Sequence, residues 1–119
     1  MENKGRILIV EDEKSMREVL KILLEDEGYE TISASDGQDG IRKIQEDIFD
    51  IVITDIIMPD MNGIELITQI CSKYPQMRII AISGDDRAST KGLKVDYTLL
   101  KPFPPAELLA AINQLMAQK

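Results

Sequence analysis

The residues best suited to chemistry in this sequence stand directly at the ends of apolar segments. Glu11 and Asp12 follow "RILIV", Asp55 follows "IVIT", Ser83 ends "RIIAIS", and Lys101 follows "DYTLL". A carboxylate such as Asp55 at the end of a buried segment is costly unless another group compensates its charge. These residues are therefore candidates for one shared site, provided that the fold brings the ends of the apolar segments together.

The apolar segments alternate with segments of helical periodicity. Five of them read as strands, namely Arg6–Val10, Tyr29–Ala34, Asp50–Thr54, Arg78–Ser83 and Asp96–Leu100. Most are apolar throughout, which is typical of parallel strands buried on both faces. The alternation predicts an α/β fold in which helices cover both faces of a five-stranded, doubly wound parallel sheet.

Four helices are predicted from apolar residues at helical spacing. Their apolar faces are Met16, Val19, Leu20, Leu23 and Leu24; Ile41, Ile44 and Ile48; Leu66, Ile67, Ile70 and Cys71; and Leu108, Ile112, Leu115 and Met116. Asp36 is expected to open the second helix, Gly28 to cap the first, and Pro75 to follow the third. The segment Gly84–Val95 lacks helical spacing, so a fourth crossover helix should be shortened or missing there.

The polar residues at the strand ends should share one edge, because ligands of open parallel sheets collect beyond the carboxyl ends of the strands. Three neighbouring carboxylates repel one another, and a hard cation such as Mg²⁺ relieves that repulsion through oxygen ligands. Lys101 adds a positive charge and Ser83 a hydroxyl donor. This combination suits phosphoryl transfer, with Asp55 as a nucleophile that would form an acyl phosphate.

Each of these residues also has an ordinary structural interpretation. Glu11–Glu13 could cap the first helix, Ser83 could bond to backbone, and Lys101 could be a surface lysine. Asp55 could cap a loop. Their joint placement at one end of successive strands favours the functional interpretation.

Composition restricts the remaining possibilities. The chain has 119 residues, 44% of them hydrophobic, and a net charge of −7. This length predicts one domain, residues 1–119. The lack of a basic stripe argues against direct nucleic-acid binding. No segment has the length of a membrane span or the layout of a signal peptide, and the single Cys71 fits a reducing compartment, so we expect a cytoplasmic protein. Histidine is absent, which removes histidine acid–base chemistry.

The motifs "ILIVEDE", "DIVITDIIMPDMNG", "IIAISG" and "LLKPF" resemble, in order and spacing, the receiver domain of two-component response regulators, similar to the chemotaxis response regulator. The resemblance covers nearly the whole chain and implies a flavodoxin-like fold. It implies that Asp55 accepts a phosphoryl group, that Asp12 binds Mg²⁺ directly, and that Glu11 does so directly or through water. The carbonyl of Ile57 would complete the metal site.

The resemblance implies further roles around the phosphoacceptor. Ser83 would contact the phosphoryl group, and Lys101 would pair with it, with a cis bond to Pro102. Met58, Pro59 and Gly63 would shape the loop after Asp55. The donor would be a histidine kinase or a histidine phosphotransfer protein, recognised by the first helix and nearby loops. The domain would catalyse only its own phosphorylation and slow dephosphorylation, and would not be a turnover enzyme.

Two features depart from the family pattern. The segment between Ser83 and Lys101 is about one helical turn short. In addition, Thr98 occupies the position of the family's aromatic switch, and the neighbouring Tyr97 would face the opposite side of a strand. We therefore expect output through another face, or partner binding that orders Gly84–Val95. An uncovered sheet also makes self-association possible, unless a short loop covers it. No DNA-binding sequence follows the last helix, so the output should be a partner protein or a domain outside this sequence.

Other functions remain open at this point. A phosphatase with an Asp nucleophile would use a similar strand-end site, but it usually needs a second carboxylate at the position of Ile57. A flavin-binding module would need a phosphate-binding loop where this chain has "EDEKS". A receiver-like domain that is never phosphorylated is a further alternative, because Thr98 departs from the pattern.

Overall fold

The computed structural model describes residues 4–56, 63–84 and 92–118. In these residues it contains five strands and four helices. The strands are β1 (Arg6–Val10), β2 (Glu30–Ala34), β3 (Ile51–Asp55), β4 (Arg78–Ser83) and β5 (Tyr97–Leu100). The helices are α1 (Lys14–Asp26), α2 (Gly37–Glu46), α3 (Gly63–Lys73) and α4 (Pro105–Ala117).

The five strands form one parallel sheet in the order β2-β1-β3-β4-β5. The predicted α/β architecture is confirmed. The central strands β1, β3 and β4 are buried almost throughout, as their continuous apolar sequences predict. Each buried Ile, Leu or Val side chain contributes about 1.5–3 kcal/mol of hydrophobic stabilisation.

Two hydrophobic clusters lie on opposite faces of the sheet. One joins alternate strand residues such as Ile9 and Ile53 to α1 and α4. The other joins the intervening strand residues, such as Val10 and Val52, to α2 and α3. This division follows from the two-residue period of a strand, which sends successive side chains to opposite faces.

The helix termini follow the predicted signals. The Asp36 carboxylate accepts a hydrogen bond from the Asp39 N–H at 2.8 Å and caps α2. Gly28 takes a positive φ of 98° just after α1, a conformation that glycine adopts without strain. Arg78, at the start of β4, donates to the Leu115 carbonyl at 2.6 Å near the end of α4.

Two predicted core positions are wrong. Ile48 is 84% exposed and lies beyond the end of α2, because the helix stops at Glu46. Val19 is 59% exposed, because Leu20 and Leu24 are the residues of α1 that face the sheet. Both residues have the right helical spacing, but the apolar residues predicted for each helix extend beyond the surface that the sheet buries.

The connection between β4 and β5 contains no helix in the residues that the structure describes, namely Gly84 and Gly92 onwards. This agrees with the prediction of a shortened or missing helix, although residues 85–91 of the segment lie outside the described residues. Leu93 and Val95 pack against the cluster formed with α2 and α3. They cover part of the sheet face next to α3.

The register of β5 settles the orientation of Tyr97 and Thr98. Tyr97 pairs with Ile80 and packs against the cluster formed with α1 and α4. Thr98 pairs with Ala81 and is exposed. The two side chains therefore face opposite sides of the sheet, as predicted. Leu100, on the same side of β5 as Thr98, is 49% exposed. Self-association through this exposed side of β5 stays a prediction.

Gly63 stands where a side chain would collide with the backbone of β3 and the residue after it. Its N–H donates to the Ile56 carbonyl at 2.6 Å. A Cβ at this position would lie 2.6 Å from the Ile56 Cα and 2.9 Å from the Asp55 carbonyl carbon. The close approach places the start of α3 against the end of β3. That Gly63 shapes the loop after Asp55 stays a prediction, because residues 57–62 lie outside the described residues.

We expect Gly63→Ala to lower the free energy of unfolding by about 2–3 kcal/mol, because backbone atoms cannot move aside as a flexible side chain can. Urea denaturation followed by circular dichroism measures this change. The matched control is Gly84→Ala, where a Cβ would meet nothing within 4 Å. Equal stabilities of the two variants would contradict the prediction.

Candidate functional site

The carboxyl ends of β1, β3 and β5 converge at one edge of the sheet. β1 and β3 are neighbours there, although they are not consecutive in the chain. The connections that follow them leave toward opposite faces of the sheet, because α1, which follows β1, and α3, which follows β3, belong to different clusters. Such a point of divergence is where open α/β sheets bind ligands.

Lys101 connects two buried carboxylates at this edge. Its ammonium group lies 2.8 Å from Asp55 Oδ2 and 3.1 Å from Glu11 Oε1. Glu11 is only 2% exposed and Asp55 7% exposed. Because a buried carboxylate requires a countercharge, the single positive charge of the ammonium group is shared between the two carboxylates and compensates them only in part.

Asp12 completes an acidic cluster with Glu11 and Asp55. One carboxylate oxygen of each residue lies within 4.8 Å of the others. Asp12 is exposed, whereas the other two carboxylates are buried. This set of oxygen donors, open to solvent on the Asp12 side, fits a hard divalent cation such as Mg²⁺.

Glu11 is fixed by its backbone and by both carboxylate oxygens. Its N–H donates to the Ala34 carbonyl of β2 at 3.1 Å. Its Oε2 accepts the Glu13 N–H at 3.1 Å, while Oε1 accepts from Lys101. The helix-capping interpretation of Glu11–Glu13 is thus incomplete: the side chain of Glu13, the N-cap of α1, makes no capping bond.

The pKa values of Glu11 and Lys101 are both raised. Burial is the main cause for Glu11, and the negative charge of Asp55 acts in the same direction, against the bonds from Glu13 and Lys101. Burial alone would lower the pKa of Lys101, but its hydrogen bonds to Asp55 and Glu11 outweigh that effect. The ammonium group therefore stays charged at neutral pH.

Ser83 and the Lys101–Pro102 bond occupy the predicted positions. Ser83 is 1% exposed at the end of β4, and its carbonyl accepts the Lys101 N–H at 2.7 Å. The Lys101–Pro102 bond is cis, as expected. The structure thus brings Glu11, Asp12, Asp55 and Lys101 together, with Ser83 at the end of the adjacent strand. Ile57, Met58 and Pro59 lie outside the described residues.

Arg17 has a place at this site that the sequence did not indicate. Its side chain donates to the backbone carbonyls of Glu11 and Asp12. A backbone contact of this kind leaves no signal in the spacing of residue types. Thr98, a predicted switch position, is exposed on β5 and belongs to the opposite side of the strand from Lys101 by alternation.

We expect the free energy of unfolding of Glu11→Gln to increase relative to that of the wild type as pH rises from 4.5 toward neutrality. The raised pKa means that native Glu11 holds its proton more tightly than unfolded Glu11 does. Its contribution to the free energy of unfolding therefore falls as pH rises through the native pKa, and the variant lacks this loss. Urea denaturation in EDTA at several pH values measures the difference. Asp26→Asn, which alters an exposed carboxylate of α1, is the control. A difference that is constant or falls with pH would contradict the prediction.

Replacement of Lys101 by Met should lower the free energy of unfolding at pH 7 in EDTA. Loss of one partner from a buried ion pair costs about 3–5 kcal/mol. Since the Lys101 side chain is 25% exposed, solvent screening should reduce the loss to about 2 kcal/mol. Lys73→Met, at an exposed position of α3, is the control for removal of a positive charge. The loss should shrink in acid, where Glu11, whose pKa is raised, becomes protonated; equal stabilities at pH 7 would refute the prediction.

Comparison with known proteins agrees with this geometry. Residues 7–113 match the family model of the response regulator receiver domain. The chain is 38% identical over 111 residues to the response regulator GtcR of Aneurinibacillus migulanus, covering 90% of this chain and 46% of that protein. It is 31% identical over 115 residues to the alkaline phosphatase synthesis transcriptional regulatory protein PhoP of Bacillus subtilis, covering 93% and 48% respectively. The chain thus spans about half the length of these curated relatives.

Solved receiver structures are similar over nearly their whole length. The response regulator TrrA of Thermotoga maritima, crystallised in complex with Mg²⁺-BeF, has a TM-score of 0.87 at 33% identity, covering 92% of this chain and 97% of that one. The chemotaxis response regulator CheY4 of Vibrio cholerae has a TM-score of 0.85 at 30% identity, covering 93% and 98%. In the described residues, no helix is long and apolar enough to cross a membrane. The match to the family model, the shared fold and the acidic edge together assign this chain to the receiver domain family of response regulators.

Proposed function

We propose that this receiver domain accepts a phosphoryl group on Asp55 from a histidine kinase or a histidine phosphotransfer protein, with Mg²⁺ as cofactor. The observation that carries the proposal is the Asp55 carboxylate held 2.8 Å from the Lys101 ammonium group, inside a cluster with Glu11 and Asp12. A carboxylate that served only to stabilise the fold would need only the lysine as its countercharge. Two further acidic groups beside it favour a cation and phosphate site.

The protein's own groups have distinct tasks in this proposal. Asp55 provides a carboxylate oxygen that forms the new bond to phosphorus, while the bond from phosphorus to the donor's leaving atom breaks. Lys101 can then pair with a phosphoryl oxygen, because it already lies beside that carboxylate. Ser83, at the end of the adjacent strand, supplies a hydroxyl group for a second phosphoryl oxygen.

Glu11, Asp12 and Asp55 are the described side chains that would hold Mg²⁺, together with the proposed backbone carbonyl of Ile57. When bound, the ion neutralises phosphoryl oxygens and the acidic cluster. The similar protein TrrA was crystallised with Mg²⁺-BeF, which supports this cofactor for the present chain. Met58, Pro59 and Gly63 would shape the loop that follows the phosphoacceptor.

The proposed role is a switch of protein interactions and not turnover of small molecules. Phosphorylation and slow hydrolysis would both occur on the domain itself. The exposed Val19 and Ile22 of α1 offer apolar surface for a phosphodonor protein. Thr98 lacks the aromatic ring of the usual switch, so we propose that output reaches an unknown partner protein through another surface. The single domain over residues 1–119 and a cytoplasmic location belong to the same proposal.

Intact mass spectrometry after incubation with acetyl phosphate and Mg²⁺ tests the phosphoacceptor. The wild type should gain one phosphoryl group, and Asp55→Asn should gain none, because the amide cannot form an acyl phosphate. Asp26→Asn, which alters an exposed carboxylate, should behave as the wild type. EDTA should prevent the reaction.

Two outcomes would overturn the proposal. An unmodified wild type under these conditions would favour a receiver that is never phosphorylated. Steady turnover of p-nitrophenyl phosphate, abolished by Asp55→Asn, would favour a phosphatase.

A further inference from the structure

Arg17 lies in α1 and binds the backbone of the segment that carries two of the acidic residues. Its Nη1 donates to the Glu11 carbonyl at 2.8 Å and to the Asp12 carbonyl at 3.2 Å. Its own N–H donates to the Glu13 carbonyl at 3.0 Å. One residue thus contacts three successive carbonyl groups between β1 and α1.

We propose that Arg17 is a positioning residue, which holds the Glu11–Asp12 backbone so that the Asp12 carboxylate remains within reach of Asp55. The inference rests on the proposed function, because it concerns Mg²⁺ binding by these carboxylates. Arg17 would not contact the ion or the phosphoryl group. Its effect would pass entirely through the backbone.

Asp12 needs such support more than Glu11 does. Glu11 is buried and bonded through its N–H and both carboxylate oxygens. Asp12 is exposed and lies beyond the last paired residue of β1. The start of α1 acts on Asp12 only through the next residue: the Glu13 N–H donates to Glu11 Oε2, but the Glu13 side chain makes no capping bond. The Arg17 contact therefore acts on the least constrained of the three carboxylate residues.

The positive charge of Arg17 and its positioning of the backbone have opposite effects on Mg²⁺ affinity. A guanidinium group near a cation site repels the cation, so loss of the charge alone would strengthen Mg²⁺ binding. Loss of backbone positioning would weaken it, since the removal of a supporting group outside the ligand set typically costs about tenfold or more in metal affinity. The two effects have opposite signs, so the direction of the change identifies the dominant one.

Lys14 provides a matched control for charge. It lies in α1 one turn before Arg17 and lines the same surface depression. It is exposed and makes no hydrogen bond to the Glu11–Asp12 carbonyls among the contacts of the described residues. Lys14→Ala thus removes a nearby positive charge and leaves the backbone contacts in place.

Magnesium titration of the metal-free protein, followed by NMR, gives the first measurement. We expect Arg17→Ala to raise the Mg²⁺ Kd about tenfold. Arg17→Lys keeps the charge but loses the planar guanidinium group, so its Kd should also rise, by a smaller factor. Lys14→Ala should bind within about twofold of the wild type or more tightly, because exposed charges are well screened.

Backbone dynamics without metal give a second measurement that Mg²⁺ chemistry does not affect. The amide order parameters of Asp12 and Glu13 should fall in Arg17→Ala and stay unchanged in Lys14→Ala.

With acetyl phosphate, the Mg²⁺ concentration for half-maximal phosphorylation should rise about tenfold in Arg17→Ala. The rate at saturating Mg²⁺ should remain near that of the wild type, because Arg17 touches none of the reacting groups.

The outcomes separate this inference from the proposed function. If Arg17→Ala and Arg17→Lys bind Mg²⁺ as tightly as the wild type, with unchanged order parameters, the positioning role is overturned. A wild type that binds Mg²⁺ but is never phosphorylated overturns only the phosphoacceptor function. A wild type that does not bind Mg²⁺ overturns both proposals.

Discussion

The contact of one ammonium group with two buried carboxylates is the constraint on which this structure depends. Lys101 comes from the end of β5, Asp55 from the end of β3 and Glu11 from the end of β1. They meet only if the strands are parallel, end at one edge and keep their register. A buried carboxylate without its countercharge would cost several kcal/mol, so the charged edge and the apolar sheet depend on each other.

Much of the fold could be predicted from the sequence because its strands are continuously apolar. Segments such as Arg6–Val10 and Arg78–Ser83 are buried on both faces, and their bounds match the observed strands. Parallel strands also share a direction, which places the residues at their ends together without any knowledge of side-chain contacts. For this reason the order of the motifs alone was enough to predict that four residues would lie together, namely Glu11, Asp12, Asp55 and Lys101.

Other features depend on distances that the spacing of residues does not encode. Helical periodicity assigned Ile48 and Val19 to the core, but periodicity does not tell where a helix ends or how wide its buried face is. The contact of Arg17 with two backbone carbonyls involves no recognisable pair of side chains. Likewise, the close approach of Gly63 to Asp55 and Ile56 appears only in three dimensions.

The alternation along β5 separates the residues that support the core from the residue that faces solvent. Tyr97 and Leu99 face the core formed with α1 and α4, and the chain then reaches Lys101 in the acidic site. Thr98 lies on the other side and is exposed. A larger side chain at position 98 would therefore enlarge the outer contour of the strand and leave the core and the lysine in place. The shape of that outer contour can be engineered independently of the acidic site.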